Sequence, residues 1–153
     1  MNPMQKTGLF RFLMNLWPPF LGAGIHVERI SQDWRKVLVN LRLRWFNRNY
    51  VGTHFGGSLF AMTDPFFMLM LLHNLGKGYL VWDQSSRIEF VKPGRGKVTA
   101  TFILEEETLA AIIEKTAAND RYLHPFTVDV LDGQGETVAR IQKTIYIRRK
   151  PNR

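Results

Sequence analysis

Residues 58–75 leave this chain few options for a fold. Leu59, Phe60, Met62, Phe66, Phe67, Met68, Leu69, Met70, Leu71 and Leu72 place apolar side chains on nearly every side of a helical wheel. Such a run is too long for a strand, and a helix that is apolar all round must be wrapped by protein. Gly76-Lys77-Gly78 stops it. Thr63, Asp64 and Pro65 interrupt it, so it falls short of the ~18 uninterrupted apolar residues that span a membrane. A lone carboxylate in such surroundings is costly, and a sequence that places one there hydrogen-bonds it or uses it.

The flanking patterns are those of strands. A weak strand is expected over His26 to Ile30, and Val37, Val39, Leu41, Leu43 and Trp45 alternate with Asn40, Arg42 and Arg44 at period two. Tyr79–Trp82 and Arg87–Val91 read as strand up to the turn Lys92-Pro93-Gly94-Arg95-Gly96, and Val98–Leu104 follows. Over Thr108–Lys115 helix and strand are balanced. Phe126–Leu131 and Val138–Ile147 flank Asp132-Gly133-Gln134-Gly135, a hairpin turn with two glycines available for positive φ. One long buried central helix among five or six antiparallel strands is most economically built as a curved sheet wrapped round that helix, an α+β fold.

With 153 residues, no repeat and no linker, the chain reads as one domain over 1–153. At its start, Leu9, Phe12, Leu13, Leu16 and Trp17 fall at helical spacing before Pro18-Pro19, so residues 1–18 are expected to form an amphipathic helix packed on the domain. Arg11 and Asn15 interrupt any signal-peptide core, and a peripheral membrane contact is the lesser alternative. Residues 148–153 form a basic tail. The absence of cysteine excludes disulfides and thiol chemistry, and suits a cytoplasmic location. His54, His73 and His124 are not at metal-ligand spacing, so no metal is expected. The net charge of +8 suggests an anionic partner. The basic residues are not interleaved with aromatics and no nucleic-acid motif is present, so nucleic acid is not that partner.

The chemistry gathers around Asn49-Tyr-Val-Gly52-Thr-His54-Phe55-Gly56-Gly57-Ser58 and Asp64. A glycine pair at a helix start lets a ligand oxygen approach backbone amides closely. Desolvation among Phe60, Met62, Phe66 and Phe67 is expected to raise the Asp64 pKa towards that of a useful base.

This set resembles the hotdog-fold acyl-CoA thioesterases, and most closely the DUF4442 branch within the phenylacetyl-CoA thioesterase type. That type carries Asn, Gly three residues on, His-Gly-Gly, and Asp nine residues after the His. Here the positions are Asn49, Gly52, Phe55-Gly56-Gly57 and Asp64, with Phe55 where the family has histidine. Ile88-Glu-Phe-Val-Lys-Pro93-Gly94 also resembles the family's segment after the third strand. The resemblance implies hydrolysis of a fatty or aromatic acyl-CoA at a site between subunits of a homodimer or homotetramer. Coenzyme A would be part of the substrate, with no other cofactor. Asp64 would be general base or nucleophile, the Gly56 N–H would polarise the thioester carbonyl, and Asn49 would orient water or substrate. Gly57, Ser58, His54, Phe55 and Asp83 would line the substrate, with Lys92 and Arg95 holding the CoA phosphates.

Plainer roles stand beside these. Thr63-Asp64-Pro65 also reads as a helix cap followed by proline at the first helical position. Asn49 suits a polar turn, Gly56 and Gly57 suit close packing, Phe55 suits a core plug, His54 suits packing, and Asp83 suits a turn. A non-catalytic acyl-CoA or lipid binder, or an acyl-thioester hydratase or dehydratase, would use the same fold.

Overall fold

A computed structural model describes residues 3–151, leaving Met1, Asn2 and the tail residues Asn152 and Arg153 outside the described part. Helices α1 (Pro3–Leu16) and α2 (Pro18–Ala23) precede β1 (Ile25–Ile30) and β2 (Lys36–Arg42). The central segment follows as α3 (Gly56–Ala61) and α4 (Phe66–Leu75). Then come β3 (Tyr79–Phe90), β4 (Lys97–Ile103), α5 (Glu106–Lys115), β5 (Arg121–Leu131) and β6 (Thr137–Arg149). The strands make one antiparallel sheet in the order β1-β2-β4-β5-β6-β3. This is the expected curved sheet around a central helical segment.

The curvature has a local cause. β2 pairs with β4 over seven residues and β5 with β6 over eleven, but β4 meets β5 only at Thr99–Leu131 and Ala100–Val130. The sheet is almost split there, and its two halves fold round the helix from either side. Phe66, Phe67, Met70 and Leu71 of α4 are buried against it, with Phe66 and Phe67 packing on Phe102 and Phe67 stacking on Phe126. By length and composition Gly56–Leu75 is apolar enough to cross a membrane. Here it is a core segment broken at Met62–Pro65, as a proline within a helix requires.

Several local expectations are corrected. The strand expected to reach Trp45 stops at Arg42, because Asn47 accepts from the Arg44 N–H and donates to the carbonyls of Arg42 and Ala23, turning the chain away. Trp45 is left 83% exposed. The two strands expected between Tyr79 and Val91 are one, since long β6 offers an unbroken partner and a bulge between Asp83 and Ser85 absorbs the irregularity. Thr108–Lys115 is settled as helix: α5 buries Ile112, carries Glu106 and Glu107 in its first turn and Lys115 in its last, the order its dipole favours. In the β5–β6 turn only Gly135 has positive φ, at 81°. The Asp132 carboxylate holds that turn by accepting from the Gln134 and Glu136 amides.

The N-terminal helix forms but docks by a different face. Asn15 donates to the Val27 carbonyl at 3.1 Å and accepts from the Val27 N–H at 2.7 Å, while Arg11 donates to the Glu28 carbonyl. These bonds satisfy edge strand β1 and fix the rotation of α1. Thr7 is buried, and Phe10 and Met14 pack on the core. Leu9, Phe12, Leu13 and Leu16, the residues of the apolar stripe, are each about half exposed.

Candidate active site

Lys143 is the side chain around which the site is built. It lies on β6 in the alternation Ile141, Lys143, Ile145, Ile147, all buried, so its side chain points into the apolar face of the sheet. A buried ammonium needs a counter-charge. Its Nζ donates to the Asp64 carboxylate at 2.8 Å and lies 3.4 Å from the Asp83 carboxylate. Asp64 comes from the α3–α4 break and Asp83 from β3, where it pairs with Ile145. Three segments far apart in the chain thus converge on one cation.

The two carboxylates differ. Asp64 is 58% exposed and Asp83 25%, so the burial expected at Asp64 is found at Asp83 instead. One Asp83 oxygen is buried without a hydrogen-bond partner. Desolvation raises the Asp83 pKa, and the nearby Asp64 charge adds to it against the opposing pull of Lys143. Asp64 is no helix cap: Pro65 occupies the N-cap position of α4 with no side-chain bond, and the Asp64 oxygen is turned to Lys143. Asp83 is no turn residue, since it lies within β3.

Asn49, His54, Gly56 and Lys92 fall on a different side of the helix start from Asp64. Asp64 opens onto a cavity of about 340 Å³ with Trp17, Pro19, Phe20, Gly57, Phe60 and Ala61. Asn49, His54, Gly56, Phe90 and Lys92 line a separate cavity of about 410 Å³. Within one chain, Asp64 and the Gly56 amide therefore do not share a pocket.

The Asn49 side chain is spent within its loop, donating to Thr53 Oγ1 and the His54 carbonyl and accepting from the Val51 and Thr53 amides. His54 is buried, and its Nε2–H donates to the Gly96 carbonyl at 2.9 Å, leaving Nδ1 without a partner. Burial lowers its pKa, only partly offset by the Gly96 carbonyl.

α3 begins at Gly56, with Phe55 in extended conformation before it and no side-chain cap. The glycines there also serve packing. A Cβ on Gly56 would sit 2.8 Å from the Phe90 ring, and one on Gly57 would fall 2.4 Å from the Phe55 ring. Phe55 itself is 57% exposed, which excludes a core plug. Ser58 is buried within α3. Lys92 is already paired with Asp132 at 2.7 Å and with Glu136, whereas Arg95 is exposed and has no ion pair among the described residues. No group of three or more His, Asp or Glu side chains among the described residues is arranged to hold a metal.

Sequence reasoning missed Lys143. The signal was present, because a lysine in phase with Ile141, Ile145 and Ile147 is an inward-pointing charge that requires a buried partner.

Comparison with known proteins agrees with this architecture. A Pseudomonas aeruginosa protein of unknown function, described as a probable thioesterase, superposes with TM-score 0.81 at 18% identity, covering 94% of this chain and 95% of its own. A Chlorobaculum tepidum protein of unknown function gives TM-score 0.75 at 14% identity, covering 97% and 98%. A thioesterase from Haemophilus influenzae gives 0.67 at 13% identity, covering 95% and 92%. At these identities the likeness establishes the hotdog fold. No curated protein matches the sequence. Residues 6–147 match the family described as a domain of unknown function, DUF4442, and this chain belongs to that family.

Proposed function

We propose that this protein hydrolyses acyl-CoA thioesters, with Asp64 activating water or attacking the carbonyl directly. The observation that carries the reading is the placement of Asp64: a solvent-reachable carboxylate, held by a buried lysine, at the mouth of an apolar cavity. Lys143 fixes the carboxylate and leaves its second oxygen free to receive a proton from water. Gly56 supplies an uncapped first-turn N–H for the developing oxyanion.

Because Asp64 and Gly56 face different cavities, the complete site is proposed to form between two copies of the chain, Asp64 from one meeting the Gly56 side of the other. The exposed outer edge of β3 supports this. A twelve-residue unpaired edge is a template for another strand. Leu80, Trp82, Phe90 and Val91 on or beside it are exposed, as are Tyr50, Val51 and Phe55 of the preceding loop. Unpaired Arg95 is the better candidate of the two basic residues for the CoA phosphates, since the charge of Lys92 is already answered.

The test is thiol release from a panel of acyl-CoAs by wild type and Asp64→Asn. Turnover that drops by about 10²-fold or more in the folded variant supports the assignment, a loss of the size seen when a proton-transfer group is removed. Equal turnover in both sinks it. Two observations favour a second reading, a non-catalytic acyl-CoA binder: Asn49 is fully engaged in its own loop, and Phe55 stands where the resembled family has histidine. Acyl-CoA binding with no turnover in wild type is the result that reading requires.

A further inference from the structure

α4 is largely apolar, yet it fully buries only Phe66, Phe67, Met70 and Leu71. Met68, Leu69 and Leu72 remain partly exposed. α1 lies alongside but is clamped to β1 through Asn15 and does not close over that face. A groove of about 520 Å³ is left between them, walled by Phe10, Leu13, Met14, Trp17, Pro65 and Leu69. Among the described residues no charged side chain lines it. Trp17 is also a wall of the Asp64 cavity, and Pro65 follows Asp64 directly, so the two spaces adjoin.

We infer that the groove between α1 and α4 is the acyl-chain site, and that the substrate carries a long unbranched chain running from Asp64 past Trp17 and along α1. The inference rests on the hydrolase reading for the position of the thioester, while the groove can be tested without turnover. From Phe10 to Leu16, α1 rises about 9 Å at 1.5 Å per residue. An extended chain with C–C bonds of about 1.5 Å needs about seven carbons to cover that stretch. The Asp64 cavity accommodates several more. A short or compact aromatic acyl group would leave the groove wet. Of the outward apolar stripe of α1, Leu13 and Leu16 border this groove.

The experiment pairs binding with turnover. Calorimetry on Asp64→Asn protein, using butanoyl-, octanoyl-, dodecanoyl- and hexadecanoyl-CoA below their micelle concentrations, reads the groove alone. Affinity is expected to rise up to about fourfold per methylene. In a Leu13→Gln, Asp64→Asn background the hexadecanoyl-to-butanoyl affinity ratio is expected to collapse by at least tenfold, and Leu13 is exposed enough to be replaced without unfolding. The ratio of kcat/KM values in the Asp64 enzyme should follow the same order. A flat chain-length profile, or a ratio unmoved by Leu13→Gln, overturns the inference even if hydrolysis is found. Chain-length-dependent binding with no hydrolysis keeps the groove and sinks the hydrolase reading. A flat profile together with sedimentation on phosphatidylglycerol vesicles that is lost in Leu13→Gln assigns the face to a membrane surface instead. A flat profile with a concentration-dependent mass change lost in that variant assigns it to a second copy.

Discussion

Replacing Lys143 with methionine tests whether the site is held together as described. The ammonium is 1% exposed and meets two carboxylates, one 58% exposed and one 25% exposed. Breaking a fully buried pair costs about 3–5 kcal/mol. Asp64 regains water when released, so its share is small. Asp83 already has one oxygen without a partner and would lose the only cation beside it among the described residues. Methionine fills the lysine's volume among Ile141 and Ile145, so no cavity adds to the cost. The net loss is expected at about 2–3 kcal/mol at pH 7, once the exposed partner is discounted.

That cost should be recovered in large part by Asp83→Asn, which removes the stranded charge, with a coupling of at least about 1.5 kcal/mol. Urea unfolding of wild type, both single variants and the double variant, at one protein concentration, measures the cycle. The pH dependence is a second check, because an uncompensated Asp83 takes up a proton more readily. The destabilisation by Lys143→Met should shrink as pH falls towards 4. A loss under about 0.5 kcal/mol, or the same loss in the Asp83→Asn background, would refute the reasoning.

Three further outcomes are expected. Gly56→Pro removes the N–H proposed to polarise the carbonyl; the position after an extended Phe55 accepts proline, the exposed Phe90 ring must move aside for its Cβ, and circular dichroism confirms that the variant is folded before it is used. Mixing it with Asp64→Asn, each inactive alone, should restore about a quarter of wild-type thiol release if every site draws on two copies, and nothing if each chain is self-sufficient. Asp83→Asn alone should become increasingly stabilising relative to wild type as pH rises from about 3.8. Its folded pKa is raised, so the native state holds the proton longer than the unfolded state and loses stability when it ionises. A pH-independent difference between the two unfolding curves counts against that assignment. Gly135→Ala should cost about 1 kcal/mol in the same assay, because φ is 81° there and the surrounding space is open, leaving only backbone strain.

The chain's local patterns were enough to determine the parts of the fold. An apolar run without a polar face dictates a core helix, although one side of α4 stays partly exposed; period-two alternation dictates half-buried strands, and Gly76 and the Asp132–Gly135 turn end elements by backbone chemistry alone. The spacing of Asn49, Gly56 and Asp64 also sufficed to point at a family. Periodicity, however, states which residues share a face and not what covers that face. The stripe of Leu9, Phe12, Leu13 and Leu16 was legible, but two hydrogen bonds from Asn15 to β1 decided that it faces outward. Likewise Asp64 was visible as a carboxylate in apolar company, whereas its exposure and its counter-ion depend on a lysine 79 positions away. Long-range pairings, and the division of the candidate site between two cavities, exist only once the sheet has closed round the helix. Burial and charge pairing are properties of that enclosure, and no window of sequence contains both partners.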